Sequence, residues 1–374
     1  MHRRGFLRFV PAAALLAATG TAARAACPAV EAWPLWAATG RDMISRQGRV
    51  IDASDKRQIT TSEGQSYAMF LALVANDREL FRRLLSWTRD NLAGGDLTAR
   101  LPAWLWGRQA DGSWGVLDDN SASDSDLWIA YSLIEAGRLW RLHEYTSLGT
   151  LLLQRIAREE TLDIPGLGMQ LLPGRQGFVH DKRWTLNPSY VPPQILARAR
   201  AVQPASVWPA LERDSLTMIE RTSPLGLAPD WAAWNGQAFD HDEPRTRTGS
   251  YDAIRVYLWA GMLGNDAPGA ARLKAHLGTI AQHVTAGGRA PEHIDIIGGT
   301  VEGDGPAGFS AALLPLLRDT PAGAALQDYL DTQDLARLGY YNRMLALFSQ
   351  GWMSGRYSFD TTGKLETAWE DCPG

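Results

Sequence analysis

Apolar residues recur at intervals of three and four along most of the chain, the spacing that builds one buried stripe on a helix. The pattern predicts helices near residues 30–45, 63–76, 79–92, 124–140, 145–160, 190–202, 206–221, 250–263, 267–284, 308–318, 321–330 and 339–352. Alternating apolar and polar runs are few. Two stretches, residues 168–188 and 355–369, carry Gly and Pro punctuation and read as short β-hairpins or ordered loops. The expected class is all-α, with about twelve helices. No low-complexity linker divides residues 26–374, so they read as one domain. Helices of similar length joined by loops suit a closed double ring of six hairpins. An open solenoid is the competing arrangement, and it asks for a more regular repeat than the sequence contains.

The first 25 residues break the pattern. A basic segment without acids, MHRRGFLRF, precedes a short apolar run, VPAAALLAATG, and the small residues of ARA. That order reads as an export signal removed after Ala25, and Arg3-Arg4 followed by Gly5-Phe6-Leu7 resembles a twin-arginine address. The expected location is periplasmic or secreted. No segment reaches the roughly 18 uninterrupted apolar residues of a membrane span, so no membrane anchor is expected. In an oxidising compartment the two cysteines left after cleavage, Cys27 and Cys372, are a disulfide candidate that would tie the termini together; two free thiols are the alternative. A net charge of −4 gives no electrostatic footprint for nucleic acid. The compositional anomaly is 15 tryptophans, residues whose faces stack well on sugars.

Three carboxylates share a context. Glu63 follows Thr61-Ser62, Asp124 follows Ala122-Ser123, and Asp252 follows Ser250-Tyr251, each leading into a strongly apolar segment. On inner helices running in one direction, their N-terminal ends would gather these acids at one mouth. The bland alternative is three unrelated helix-start acids, which the helix dipole favours anyway. Yet helices this apolar are buried, and an ionised carboxylate at a buried helix start needs a partner or a purpose. Nearby loops add aromatic residues: Trp104, Trp106 and Trp114 before Asp124, then Tyr190, and Trp231 with Trp234. Aromatics beside an acidic cleft suit a polysaccharide, although each tryptophan also has plain packing as an alternative. Cys/His clusters, phosphate-cradling glycine loops and G-x-S-x-G are lacking, so no metal or other cofactor is expected.

The stretch ASDSDLWIAYSLIEAGRLW, residues 122–140, closely resembles the signature of glycoside hydrolase family 8. TSEGQSYAM (61–69) and YDAIRVYLW (251–259) are similar to that family's other two catalytic segments. Ser125 stands where the signature has Ala or Gly, adding a hydroxyl and leaving both acids in place. The resemblance spans residues 33–352 and implies an (α/α)6 barrel with an inverting mechanism and a long groove for β-1,4-linked glucan. It also implies Glu63 as general acid, Asp252 as base and Asp124 in the central subsite. The family's groups do not all place the base at this position, which leaves that assignment open. Trp104, Trp106, Tyr190, Tyr251, Trp231 and Arg255 are the expected substrate-binding residues, Arg255 lying one turn beyond Asp252, where it can keep that acid ionised and oriented. The nearest likeness is to periplasmic endoglucanases that accompany cellulose synthesis, which implies a transient contact with a cellulose synthase complex. A same-fold hydrolase of xylan, chitosan or mixed-linkage glucan is one alternative. A non-catalytic glucan-binding component of a secretion machine is another.

Overall fold

The computed structural model describes His2 and residues 33–370. The export segment and both cysteines, Cys27 and Cys372, lie outside the described residues. Among the described residues there are twelve helices of eight residues or more: α1 (Pro34–Met43), α2 (Ser62–Val74), α3 (Arg78–Leu92), α4 (Ser123–Trp140), α5 (His143–Glu159), α6 (Pro193–Val202), α7 (Trp208–Thr222), then, after the single turn α8 (Pro244–Arg247), α9 (Ile254–Gly261), α10 (Ala270–Leu277), α11 (Ala307–Leu317), α12 (Pro321–Asp331) and α13 (Tyr340–Met353). Helices α2, α4, α9 and α11 are buried almost all round, whereas α3, α5, α7, α10 and α12 bury one stripe. That difference sorts inner from outer helices.

The inner set closes on itself. Contacts run from α2 to α4, α6, α9, α11, α13 and back to α2, while α3, α5, α7, α10, α12 and α1 each pack outside one inner helix. This closed double ring is the (α/α)6 barrel, and it removes the solenoid. Because an outer helix separates successive inner ones along the chain, the inner helices run in one direction.

Aromatic rings plug the barrel axis. Phe70 lies flat against Phe348 at 5.3 Å, Trp128 meets Phe70 at 4.9 Å, and Trp259 lies 5.3 Å from both Trp128 and Phe348. Such ring pairs contribute about 0.5–1.5 kcal/mol each beyond area burial. Much of the tryptophan excess therefore serves packing: Trp128, Trp208, Trp234 and Trp259 are fully buried. Trp234, expected beside Trp231 in the cleft, instead donates its indole N–H to the Pro165 carbonyl at 2.9 Å.

Three boundaries differ from the expected ones. Tyr190 belongs to a 3-10 turn (Pro188–Tyr190) rather than to α6, because Pro192 and Pro193 lack the N–H groups that would continue it. The helix expected from residue 250 starts at Ile254, leaving Asp252 in the turn before it. The helix expected over 267–284 keeps α-geometry only to Leu277 and tightens into a 3-10 segment, Gly278–His283.

Short strands are more numerous than the alternation suggested. Thr60–Thr61 pairs with Leu105–Arg108, and that strand with Trp114–Asp118; Thr248–Gly249 pairs with Pro291–Asp295, itself paired with Val301–Asp304. A four-stranded sheet runs from Val179–His180 through Arg183–Leu186 and Ala232–Trp234 to Phe239–Asp240. These sheets pin the segments leading into Glu63, Tyr190 and Asp252. The hairpins Thr161–Ile164 with Gly168–Leu171, and Tyr357–Phe359 with Leu365–Thr367, fall within or beside the two stretches expected to form them.

Candidate active site

Glu63 sits in the first turn of α2, but it does not cap the helix. Thr61 does, its hydroxyl accepting the Gly64 N–H at 3.0 Å. Glu63 is instead free to face the mouth, where Tyr340 at the start of α13 donates its hydroxyl to Oε1 at 2.9 Å. The glycine at position 64 permits this approach, since a Cβ there would lie 3.0 Å from the Tyr340 hydroxyl. Asp124 occupies the first turn of α4 and accepts the Ser125 N–H at 2.7 Å and the Ser125 hydroxyl at 3.1 Å.

Arg255 joins the three acids. Its side chain is buried; Nη1 donates to Glu63 Oε2, to Asp124 Oδ2 at 3.3 Å and to the Tyr67 hydroxyl at 3.1 Å. Its Nη2 donates to Asp252 Oδ1 at 2.5 Å and to the Ser189 hydroxyl at 3.0 Å. The sequence spacing foretold the pairing with Asp252 only. The other partners lie 192 and 131 residues away and meet Arg255 because inner-helix starts share one mouth.

One cation among three carboxylates leaves a surplus of negative charge. Burial raises the proton affinity of Glu63, and the fields of Asp124 and Asp252 add to it; Arg255 and the Tyr340 hydrogen bond oppose them. The outcome is a Glu63 carboxyl pushed up to about 7. Asp124 is also raised, by burial first, against Arg255 and the two Ser125 hydrogen bonds. Asp252 keeps 27% of its side chain exposed and has Arg255 as its ion-pair partner, so it faces both solvent and a cation.

Asp230 was not expected in the site. One of its carboxylate oxygens accepts the backbone N–H groups of Ser250, Asp252 and Ala253 at 2.8, 3.0 and 2.9 Å, fixing the turn that presents Asp252. Burial pushes this carboxyl up to about 6 despite those donors, with Asp252 adding to the rise. Tyr340 was missed as well. Its signal was positional: it opens an inner helix, and the starts of the inner helices share one mouth.

Aromatic residues extend from the acids along two directions. The Tyr190 ring lies 5.6 Å from the Arg255 guanidinium, Trp231 is 6.1 Å beyond Tyr190, and Phe178 lies nearly parallel to Trp231 at 6.2 Å. On the Glu63 side, the Trp104 carbonyl accepts the Ser62 N–H at 3.0 Å. Farther out, Trp106 and Trp114 stack at 5.3 Å beneath the Arg49 guanidinium. Tyr251 is exposed beside Asp252, with its ring edge-on to Phe309 at 4.9 Å. The three acids, Arg255 and Tyr190 therefore come together at the centre, Tyr251 adjoins Asp252 in the chain, Trp104 is held through its carbonyl to Ser62 beside Glu63, and Trp106 and Trp231 stand farther out. Among the described residues, no group of three or more His, Cys, Asp or Glu side chains is arranged to hold a metal ion.

A family model described as glycosyl hydrolases family 8 matches residues 9–355. An endoglucanase of Salmonella typhi is 47% identical over 95% of this chain and 95% of its own length. An endoglucanase of Xanthomonas axonopodis pv. citri is 49% identical over 96% of this chain and 94% of its own. Among solved structures, the endo-1,4-D-glucanase of Vibrio fischeri ES114 is 47% identical and superposes with a TM-score of 0.86 over 90% of this chain and 99% of that one. Likeness that runs nearly end to end in sequence and extends to the barrel itself leads to one conclusion: the chain belongs to glycosyl hydrolase family 8.

Proposed function

We propose that this protein is an endo-β-1,4-glucanase that hydrolyses cellulose-like chains with inversion, with Glu63 as general acid, Asp252 as general base and Asp124 in the central subsite. The observation that carries the assignment is the single buried arginine shared by three carboxylates, with Glu63 pushed up to about 7. At mildly acid pH Glu63 holds a proton to give to the glycosidic oxygen as the bond from the anomeric carbon breaks. Asp252 takes a proton from the water that attacks that carbon on the opposite face. Arg255 keeps both acids oriented, and Tyr340 fixes the Glu63 rotamer. The endoglucanase and endo-1,4-D-glucanase names of the similar proteins support the substrate class, and the aromatic rows flanking the acids suit a chain of pyranose rings. The basic, apolar and ARA segments before Ala26 support export.

Purified protein is expected to release reducing ends from soluble carboxymethylcellulose while the viscosity falls early, the mark of cuts within the chain. Proton NMR of the first products is expected to show the α-anomer. Inversion needs room for a water between acid and base, about 6.5–9.5 Å between carboxyls, against about 5–5.5 Å for retention. A β-anomer appearing first would contradict inversion, and binding without new reducing ends would leave a non-catalytic glucan-binding protein.

A further inference from the structure

Helix α4 begins without a side-chain cap, because Ala122 stands at its N-cap position. The first N–H groups of a helix have no partner within it and need one from elsewhere. The Ser123 N–H finds the Pro173 carbonyl at 3.0 Å, and the Ser125 N–H finds Asp124 Oδ1 at 2.7 Å. The Ser125 hydroxyl, on a fully buried residue, adds a second donor to the same oxygen at 3.1 Å. With Ala or Gly at position 125, as in the family signature, only the N–H would remain. Arg255 takes the other oxygen, Oδ2, at 3.3 Å. Three donors therefore meet one buried carboxyl.

A protonated carboxyl turns one of its oxygens into a donor, so donors aimed at both oxygens favour the ionised form. Burial works the other way and raises Asp124 above its ordinary value, with Asp252 adding to the rise; Arg255 and the two Ser125 donors oppose it. The other titratable groups around Asp124 come from several elements. Glu63 and Tyr67, on α2, share Arg255 Nη1 with it. Tyr190, in the turn before α6, lies in its field, as do Asp126 on α4 and Glu160 at the end of α5. Burial raises Asp126 far above the usual carboxylate range and pushes Glu160 up to about 8, so both stay protonated in acid solution. Burial raises Tyr67 and Tyr190 as well, which leaves them neutral there. The charges that bear on Asp124 in acid solution are then those of Arg255, Glu63 and Asp252, and the Ser125 hydroxyl is a donor that does not titrate.

We infer that Ser125 is a positioning residue whose hydroxyl fixes the Asp124 carboxylate and keeps it ionised in acid solution, so that a fully buried side chain sets the lower pH limit of glucan cleavage. The control of cleavage rests on the proposed function, whereas the preference of the hydroxyl for ionised Asp124 does not.

The test uses the full chain with Ser125→Ala, which removes the donor and puts a smaller residue of better helix propensity in its place. Profiles of kcat/KM against pH are measured on a soluble, uncharged cello-oligosaccharide. The acid limb is expected to move to higher pH by about 0.5–1 pH unit, because Asp124 takes up its proton sooner. The alkaline limb, which follows Glu63 while Asp124 is ionised, is expected to stay in place. In an Asp124→Asn background position 124 has no proton to gain, and adding Ser125→Ala is expected to leave the acid limb where it was. An acid limb that does not move in Ser125→Ala would overturn control of the pH limit. Movement that persists in the Asp124→Asn background would overturn action through Asp124.

Thermal unfolding without substrate supplies a second measurement. A donor that favours the ionised acid contributes stability where the acid is ionised, and that contribution is lost as pH falls and the acid takes up its proton. Ser125→Ala is therefore expected to have a lower Tm than the unaltered chain at pH 7, with the gap narrowing toward pH 4. A gap of equal size at both pH values would overturn the preference for ionised Asp124. Should the unaltered chain cleave no glucan, the proposed function falls and the Tm gap still decides what the hydroxyl does.

Discussion

Helix α4 buries acids in both of its halves, and the two regions treat them in opposite ways. Near the C-terminal end, Glu135 is fully buried, yet Arg138 reaches it at 2.8 Å, Arg198 at 2.6 Å and the Leu365 N–H at 3.0 Å. Two cations and an amide serve one carboxylate, tying α4 to α6 and to the C-terminal hairpin. At the N-terminal end, one cation serves Glu63, Asp124 and Asp252. A buried acid with matched partners holds a fold together. A buried surplus of acids forces a proton onto one of them, and a held proton is what a general acid needs.

The largest break in this comparison comes from Glu63→Gln. The amide keeps size and removes the transferable proton, so cleavage is expected to fall by at least ~10²-fold while glucan binding, read by calorimetry, is largely kept. Near-normal turnover would sink the assignment of Glu63. The mirror experiment is Glu135→Gln, which takes the shared buried carboxylate from two partly buried guanidinium groups, Arg198 and Arg138, the latter keeping Glu370 at 2.6 Å. Stability is expected to drop by about 1–3 kcal/mol, read by denaturant unfolding, with kcat at low temperature unchanged. A loss of turnover matching that of Glu63→Gln would mean the two regions are not distinct.

Two smaller changes sharpen the comparison through pH. Glu63 works protonated, so the rate is expected to fall as pH rises through about 7. Asp124→Asn removes a negative neighbour that raises Glu63, so the alkaline limb is expected to move to lower pH, with turnover also reduced about tenfold or more by the loss of a subsite group. Tyr340→Phe removes a donor that favours ionised Glu63, so the same limb is expected to move to higher pH, with turnover at the optimum within about threefold. Profiles of kcat/KM against pH for both variants check the signs. Movement in the same direction would contradict the charge arrangement around Glu63.

The acids were legible in the chain because each opens a strongly apolar helix, and local order along a sequence survives folding. Arg255 was legible only toward Asp252, its neighbour at helical spacing. Its bonds to Glu63 and Asp124 depend on ring closure, which no local window contains. Asp230 was hidden for the same reason, since its three N–H partners lie 20 to 23 residues away. The strands of residues 105–108 and 114–118 escaped notice because they are four and five residues long and pair in part with Thr60–Thr61, a segment too short to alternate. Trp234 and Trp231 look alike in PDWAAWNG, yet one is buried and the other stands beside Tyr190.

Sequence alone determined which segments become helices, which of those are buried all round, and that carboxylates stand at the starts of three of them, because helical periodicity and chain order are local properties. Tertiary structure decided how many cations those carboxylates share and which tryptophans face the cleft. Charge balance in a dry site is set by groups that approach from different helices, and the proton on Glu63 depends on their sum rather than on any one neighbour in the chain.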